Sequence, residues 1–415
     1  MISVLAVWVL VISVGAIVHT YLLFPWMMKV LSRGKSLAVP AKEEMKQWPK
    51  VTVLMAVYNE EAIIKEKLDS LDKVDYPIDK WRIYIGSDAS DDRTNSIVSQ
   101  WGQGKEYVHF KVFEKRHGKV KIINQLVSEA VSKQPAGPQH IFLLTDASVM
   151  LDPEVVRTLV RHFRDEKVAL VDTHMINLGS SHKDISASEE QYISREVLIK
   201  HREGLLGGVM MGPFGGCFAL RSDYFTPVPD TFRVDDFYVA MQALKRGGKL
   251  ISDLDAKVYE AIPHDIMEEY RRKRRISSGN FQNLTQFSSM LVQPPLWRAF
   301  VFFSHKVLRW MGPLIMLIGV LSLSVLALKK GGYYSIIWWI ALLGTLGVSL
   351  ADIGLSKRHI HLKYFRLIRY FIMMNIALLE GFIEYLKGIK TNVWQPPKRK
   401  AEYGDEAQYH SRSDS

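Results

Sequence analysis

Three acidic positions and one basic cluster have the types and spacing of a site for a sugar nucleotide. Asp88 ends one apolar run, Asp146 ends another, and the pair Asp235 and Asp236 comes later. The basic run 271–275 follows, directly before the chain becomes apolar. Carboxylates bind a base, a ribose or a divalent cation and take a proton, whereas cations hold a leaving diphosphate. The combination predicts sugar transfer at a membrane surface.

The ends of the first two predicted strands carry polar residues suited to a nucleotide. Asn59 and Glu60 follow the strand 51–57, and Asp88 follows the strand 82–87. A carboxylate at a strand end accepts hydrogen bonds from a pyrimidine N–H or a ribose hydroxyl. Capping of the following helix explains Asp88 alone equally well. The three residues together favour binding of a donor nucleotide.

Lys119 and Asp146 are candidates for the diphosphate end of such a donor. Lys119 opens a predicted helix, whose N-terminal amides attract an anion, although a solvated basic turn gives the same pattern. Mg²⁺ and Mn²⁺ prefer oxygen ligands and keep waters beside one or two carboxylates and the substrate phosphates. Asp146 is therefore the predicted metal ligand, and capping of the next helix is the alternative.

Asp235 and Asp236 open another helical pattern, where one carboxylate would take the proton of an acceptor hydroxyl. Pairing with the helix dipole is the alternative, because acidic residues are common in a first turn. Gly215 and Gly216 form either an acceptor-pocket loop or a plain turn. The run 271–275 would clamp a diphosphate through bidentate guanidinium groups, or contact lipid head groups.

Strands alternate with helices between residues 51 and 260, which predicts an α/β domain. The predicted strands are buried apolar runs at 51–57, 82–87, 108–113, 141–145 and 168–172. Helices are predicted to begin near residues 92, 119 and 152. This alternation implies a mostly parallel sheet, and such sheets bind ligands at the carboxyl ends of their strands.

Apolar segments flank this domain. Residues 4–28 carry no charged side chain and are long enough to span a bilayer, so 1–30 are predicted to be a retained transmembrane helix. Basic residues follow at once in the linker 31–50, which places the α/β domain in the cytoplasm and the protein in the inner membrane as a multi-pass protein. Membrane lipid is thus a predicted partner.

The C-terminal part is predicted to be divided into three segments. Residues 261–310 hold the basic motif and interfacial helices, 311–390 form a membrane region, and 391–415 are a cytoplasmic polar tail. Spans are predicted at 311–328 and 334–351. The short apolar run 370–379 has basic residues on both sides, which favours an interfacial or re-entrant helix over a span.

Composition excludes several classes of protein. The net charge of +11 fits cytoplasmic-side lysines and arginines that face anionic lipid. Nucleic acid is not a predicted partner, because no nucleic-acid-binding motif is present. A single cysteine, Cys217, excludes an intramolecular disulfide framework and a cysteine-based zinc site. A transporter is disfavoured by the small number of spans.

The order of these motifs resembles the membrane-embedded family 2 glycosyltransferases of the GT-A fold, which include cellulose, hyaluronan and poly-N-acetylglucosamine synthases. The resemblance rests on six motifs at 56–61, 87–91, 118–119, 145–148, 235–236 and 272–275. Residues 304–310, with Trp394 and Pro396, are similar to the shorter bacterial members.

The resemblance implies an inverting transfer from a nucleoside-diphosphate sugar, usually UDP-linked, with Mg²⁺ or Mn²⁺. Asp236 would be the general base, and Asp146 would bind the metal. Donor binding would involve Asn59, Glu60, Asp88, Lys119, Asp146, Arg272 and Arg275. Acceptor binding would involve Gly215, Gly216 and Asp235.

Three positions depart from the family pattern. Ser148 stands at the second Asp of the usual Asp-x-Asp motif, Arg272 at the Gln of the usual Gln-x-x-Arg-Trp motif, and Ile276 at its Trp. The tryptophan stacks on the acceptor sugar in processive members. Transfer to a lipid-linked or growing polysaccharide acceptor is therefore the expected activity. The alternatives are a processive polysaccharide synthase and a non-catalytic subunit that works with export or assembly partners.

Overall fold

The computed structural model describes residues 2–38, 47–178, 186–261, 266–356 and 362–393. These residues form two compact units. The α/β unit contains the described residues of 31–182, 190–263 and 389–415, and the helical unit contains those of 1–30, 183–189 and 264–388. Most of the predicted polar tail lies outside the described residues, as do Trp394 and Pro396.

The α/β unit is built on one mixed sheet. Its strands are β1 Lys50–Val57, β2 Trp81–Ser87, β3 Val108–Val112, β4 His140–Thr145, β5 Val149–Leu151, β6 Val168–Leu178, β7 Cys217–Arg221 and β8 Lys249–Ala261. They lie in the order β3-β2-β1-β4-β7-β6-β8-β5. The first four in this order are parallel, β7 is antiparallel to both neighbours, and β6 pairs parallel with β8.

The helices come in chain order between and after these strands. They are α1 Ile2–Val18, α2 Phe24–Leu31, α3 Ile64–Asp72, α4 Thr94–Gly102, α5 Lys119–Lys133, α6 Val155–Val160, α7 Ser186–Leu205, α8 Asp235–Lys245, α9 Ile266–Gln286, α10 Leu296–Val301, α11 Leu308–Trp310, α12 Gly312–Lys330, α13 Tyr333–Ser356 and α14 Lys363–Leu386. The first parallel strands alternate with α3, α4 and α5, as the pattern predicted.

Apolar strands buried on both faces explain the core of this unit. Every residue of β4 and β7 is buried, as expected for strands in the middle of a covered sheet. The largest described cluster joins these strands to the inner faces of α3 and α6. The core thus includes β1, β2 and β4. The loops with candidate site residues begin at the carboxyl ends of these strands.

The five predicted strands are confirmed, but the sheet is less parallel than predicted. Among the described strands, β4–β7, β6–β7 and β5–β8 pair antiparallel. Sequence reasoning missed β5, β7 and β8. The strand β8 carries exposed charged side chains, so no apolar run marks it.

Three described helices are long and apolar enough to cross a membrane. They are Ile2–Leu31, Gly312–Lys330 and Tyr333–Leu355, in the places where spans were predicted. The first contains a π-helical turn at His19–Leu23. A second π-helical turn, Phe302–Val307, lies between α10 and α11 in the segment predicted to be interfacial.

The helix α14 contains the short apolar run 370–379 and packs on α9 through polar contacts. Ser277 donates a hydrogen bond from its hydroxyl to the Leu378 carbonyl at 2.7 Å. Arg274 of α9 pairs with Glu384 at 3.2 Å. A Cβ at Gly381 would come within 2.4 Å of the Arg274 carbonyl oxygen, so the two backbones approach closely. An interfacial position for α14 stays a prediction.

Candidate active site

The loops after β1 and β2 are joined by side-chain hydrogen bonds. Asn59 donates from Nδ2 to Asp91 Oδ1 at 2.6 Å, and the Asp91 amide donates back to Asn59 Oδ1 at 3.0 Å. Asn59 has a φ of 50°, a left-handed conformation that asparagine tolerates better than most residues. The Glu60 amide donates to Thr94 Oγ1 at 2.8 Å. Asn59 and Glu60 therefore join the loops after β1 and β2, and their contact with a nucleotide stays a prediction.

Asp88 is buried at the end of β2 and organises the turn that leads into α5. Its carboxylate accepts hydrogen bonds from Arg116 Nε at 3.0 Å, from the Gly118 amide at 3.0 Å and from the His117 amide. A carboxylate has about four lone-pair sites, so these three donors leave room for one more. The Arg116 guanidinium lies 3.2 Å from the centre of the Tyr58 ring. The Asp88 turn thus has a cationic group stacked on an aromatic ring beside it.

Lys119, the first residue of α5, brings three acidic residues together. Its ammonium lies 2.6 Å from Asp146 Oδ1 and 3.8 Å from Asp235 Oδ2. Burial lowers the pKa of Lys119, but the carboxylates of Asp146, Asp235 and Asp236 outweigh it and hold the pKa above its usual value. The structure thus joins the predicted diphosphate residues to the predicted acceptor-side acids.

Asp236 has the electrostatic surroundings of a general base. Burial raises its pKa to about 6, and the like charge of Asp235 adds to the rise, while Lys119 opposes it. A base with a pKa near the working pH combines a useful ionised fraction with sufficient basicity. Both acids stand in the first turn of α8. The positive end of the helix dipole lies at that position.

Because Gly215 has no Cβ, the side chain of Asp236 can lie against its backbone. A Cβ at Gly215 would lie 2.2 Å from Asp236 Oδ2, and its φ is +93°. The next glycine, Gly216, is also closely packed, and its carbonyl accepts the Asp146 amide at 2.9 Å. The two glycines therefore connect the metal-ligand candidate with the base candidate.

A buried ion pair holds this glycine loop. Lys200 Nζ lies 2.7 Å from Asp172 Oδ2, and both side chains are almost fully buried. The Phe214 amide donates to the same carboxylate at 3.1 Å. Lys200 also lies 5.1 Å from the centre of the Phe214 ring. The pair fixes the backbone directly before Gly215.

Lys67 is a buried cation beneath the turn that carries Asp146. It donates to Thr145 Oγ1 at 2.8 Å and to the Val149 carbonyl, so it bonds to both ends of the turn. Burial lowers the pKa of Lys67 to about 8, against the opposite influence of Cys217 and Asp146. Sequence reasoning missed this residue. The pattern that could have revealed it is a lysine on the apolar face of a helix, beside Ile64, Leu68 and Leu71.

Arg272 and Arg275 lie on α9, in the helical unit. Glu269, one turn earlier on the same helix, pairs with Arg272 at 3.3 Å and with Lys273 at 3.1 Å. Glu269 therefore holds the side chains of Arg272 and Lys273 by ion pairs within the helix. The role of Arg272 and Arg275 in diphosphate binding stays a prediction.

A divalent cation fits the chemistry of the Asp146 turn. The Asp146 side chain is 38% exposed, which leaves carboxylate oxygen open to a ligand. The described residues contain no group of three or more His, Cys, Asp or Glu side chains placed to hold a metal. Mg²⁺ commonly binds through one or two carboxylates, with the rest supplied by phosphates and water. A protein site with few ligands therefore matches a metal that arrives with a diphosphate.

Comparison with known proteins agrees with this chemistry. A family model described as Glycosyl transferase family 2 matches residues 52–226. A model described as Glycosyl transferase family group 2 matches residues 140–351, about half of the chain.

Curated relatives share shorter stretches of sequence. The Probable glycosyltransferase YdaM of Bacillus subtilis is 36% identical over 67 residues, 16% of either chain. Beta-monoglucosyldiacylglycerol synthase of Trichormus variabilis is 25% identical over 172 residues, 40% of this chain and 35% of that protein. Probable glucomannan 4-beta-mannosyltransferase 3 of Oryza sativa subsp. japonica is 20% identical over 295 residues, 67% and 53%. The matches thus span about half, or less, of the length of these relatives.

A solved structure shares the fold. The mannosyltransferase PcManGT of Pyrobaculum calidifontis, in complex with GDP-Man and Mn²⁺, superposes with a TM-score of 0.65 and 20% sequence identity. The alignment covers 93% of this chain and 99% of that one. The predicted GT-A fold is thereby confirmed.

Proposed function

Because this chain belongs to glycosyl transferase family group 2, we propose that it transfers a sugar, with inversion, from a nucleoside-diphosphate sugar to an acceptor at the cytoplasmic membrane face. The observation that carries the proposal is the gathering of Asp146, Asp235 and Asp236 around Lys119 at one edge of the sheet. A metal-binding acid, a cation and a base meet there, as group transfer from a diphosphate requires.

The donor side of the site is assigned from the first strand ends. The remaining acceptor site of Asp88 takes a hydrogen bond from the base or ribose, and Asn59 and Glu60 border the same pocket. A UDP-sugar is the expected donor. Lys119 and the N-terminus of α5 hold the diphosphate, since a helix N-terminus attracts anions. Arg272 and Arg275 add further charge-assisted hydrogen bonds to the leaving group.

A divalent cation, Mg²⁺ or Mn²⁺, would bind Asp146 and neutralise the diphosphate as it leaves. The structure neighbour that contains Mn²⁺ supports divalent-metal dependence in this fold.

Asp236 completes the reaction on the acceptor side. Its carboxylate takes the proton of the acceptor hydroxyl, whose oxygen forms the new bond to the anomeric carbon. The bond from that carbon to the diphosphate oxygen breaks, and its electron pair leaves with the nucleoside diphosphate. Gly215 lets the backbone approach Asp236 closely. Asp235 and Gly216 are the residues proposed to border the acceptor. Attack from the face opposite the leaving group inverts the anomeric configuration.

The acceptor is proposed to be a lipid-linked or growing polysaccharide. Three helices that are able to cross a membrane support catalysis at a bilayer. One curated relative is named for monoglucosyldiacylglycerol, a glycolipid, and another is named for glucomannan. The match to the glucomannan mannosyltransferase is the longer one, so processive synthesis is the second candidate.

Product analysis distinguishes the two acceptor modes. Membranes that contain the protein would be incubated with a radiolabelled donor, extracted with organic solvent and separated by size. Label in a lipid extract with one or a few added sugars supports the proposal. Label in a long, solvent-insoluble polymer supports the processive alternative. Membranes that contain Asp236→Asn serve as the control for transfer by other enzymes.

A further inference from the structure

Ser148 stands at the position of the second acid in the Asp-x-Asp motif of the family that the sequence resembles, and its hydroxyl carries no charge. The side chain is buried and does not point into solvent. Its Oγ donates a hydrogen bond to Glu260 Oε1 at 2.8 Å. Residue 148 thus has no carboxylate of its own, but the carboxylate of Glu260 is hydrogen-bonded to it.

Strand pairing fixes Glu260 at this place. The short strand β5 begins directly after Ser148 and pairs antiparallel with β8, with Val149 opposite Glu260. Glu260 also pairs with Asn177 in the parallel ladder to β6. Ladders on both sides hold the backbone of Glu260, so its position beside the Asp146 turn does not depend on a flexible loop.

We propose that Glu260 supplies the second carboxylate of the divalent-cation site, in place of the acid that residue 148 lacks. The inference rests on the proposed function, because the cation is the one that accompanies the donor diphosphate. Asp146 and Glu260 contribute two hard oxygen ligand groups, which is the usual protein share for Mg²⁺ or Mn²⁺ at a phosphate site. The Ser148 hydroxyl is the positioning group that orients the Glu260 carboxylate, as outer hydrogen bonds orient metal ligands elsewhere.

Mn²⁺ binding without turnover tests this assignment. Mn²⁺ would be titrated into detergent-purified protein with saturating UDP or GDP and no sugar donor, and free Mn²⁺ would be followed by electron paramagnetic resonance. Glu260→Gln keeps an oxygen that accepts the Ser148 hydroxyl but removes the charge. We expect a loss of Mn²⁺ affinity of about 10-fold or more. Asp255→Asn is the matched control, because Asp255 is an acid on the same strand with 82% of its side chain exposed.

The double variant Ser148→Asp with Glu260→Gln separates a ligand from a merely structural residue. It returns an acid to the usual motif position, so it is expected to recover most of the lost affinity. A thermal melt of each variant shows whether the fold is retained. Recovery would not occur if Glu260 only anchored β8.

Two results overturn the inference. One is a Glu260→Gln protein whose Mn²⁺ affinity stays within twofold of the parent. The other is a folded double variant that recovers nothing. If the parent protein binds the nucleotide but no Mn²⁺, metal dependence itself fails along with this assignment. If the parent binds Mn²⁺ and Glu260→Gln binds it equally well, Glu260 is not a metal ligand. The proposed function is then unaffected.

Discussion

The ammonium of Lys119 lies 2.6 Å from Asp146 Oδ1 and 3.8 Å from Asp235 Oδ2. Asp146 follows β4, whereas Asp235 opens α8, so one cation joins two separate parts of the fold. Three acidic side chains, those of Asp146, Asp235 and Asp236, thus act on a single ammonium. The acids can bind a divalent cation, and the ammonium can bind a diphosphate.

Asp236→Asn is expected to abolish sugar transfer and to leave nucleotide binding largely unchanged. The amide fills the same space but cannot take a proton from the acceptor hydroxyl. A general base contributes about 10²- to 10⁴-fold to rate, so turnover should fall by that amount. Calorimetry with UDP or GDP measures binding separately. Near-normal turnover would remove Asp236 from the role of base.

Asp235→Asn is expected to shift the pH dependence of kcat/KM to lower pH. The base works only when ionised, so the rate of the parent rises as the pH passes about 6, the pKa of Asp236. The like charge of Asp235 helps to raise the pKa of Asp236, so removal of that charge lowers the pKa. The acidic limb of the pH–rate profile then moves to lower pH. Asp230→Asn, at an exposed acid that precedes α8 in the sequence, is the control. A limb that stays in place or moves up would contradict the assignment.

Gly215→Ala is expected to impair transfer and to reduce stability. The new Cβ would lie 2.2 Å from Asp236 Oδ2, and φ at this position is +93°. Backbone strain of this kind costs on the order of 1–3 kcal/mol. Gly137→Ala is a matched control, because its Cβ would meet no atom within 4 Å and its φ is not in the left-handed region. Equal activity and melting temperature for the two variants would show that Gly215 does not constrain Asp236.

Lys67→Met is expected to weaken binding of the nucleotide with its metal and to destabilise the fold. Thr145 and the Val149 carbonyl would lose a buried donor, at a cost of about 1–3 kcal/mol. The Asp146 turn would lose its support from below. Lys65→Met, on the same helix with 73% of the side chain exposed, is the control. If a folded Lys67→Met protein bound the nucleotide and Mn²⁺ as tightly as the parent, Lys67 would have no positioning role.

Arg275→Ala is expected to weaken UDP binding, because a guanidinium that holds the diphosphate contributes charge-assisted hydrogen bonds worth about 1.5–3 kcal/mol. Isothermal titration with UDP measures the change. Arg271→Ala is the matched control, since Arg271 is an exposed arginine of the same basic run. Unchanged affinity in Arg275→Ala would count against the clamp.

The places of the candidate acids in the fold could be predicted because each acid directly follows an apolar strand or opens a helix. Carboxyl ends of parallel strands meet at one edge, so Asp88 and Asp146 were expected at the same edge of the sheet. Lys119 was predicted from the helix N-terminus that it opens. Its contact with Asp235 depends on long-range folding, which local patterns do not encode.

The residues that support the site were harder to predict. The strand β8 alternates apolar and charged residues, so Glu260 gave no sign of its place beside Ser148. Arg221 ends β7 yet is buried, and its guanidinium donates to backbone carbonyls of Val168, Pro138, Phe163 and Asp165. A buried arginine within a strand runs against the usual pattern of composition. Tertiary hydrogen bonds explain both cases.

Release of nucleoside diphosphate tests the central claim most directly. Purified protein would be given a panel of UDP- and GDP-sugars with Mg²⁺, with Mn²⁺ and with chelator, alongside Asp236→Asn. We predict release with one donor, lost on chelation and in the variant. Measurable nucleotide binding without release from any donor, even when membrane lipid extract is supplied as acceptor, would contradict the proposed activity.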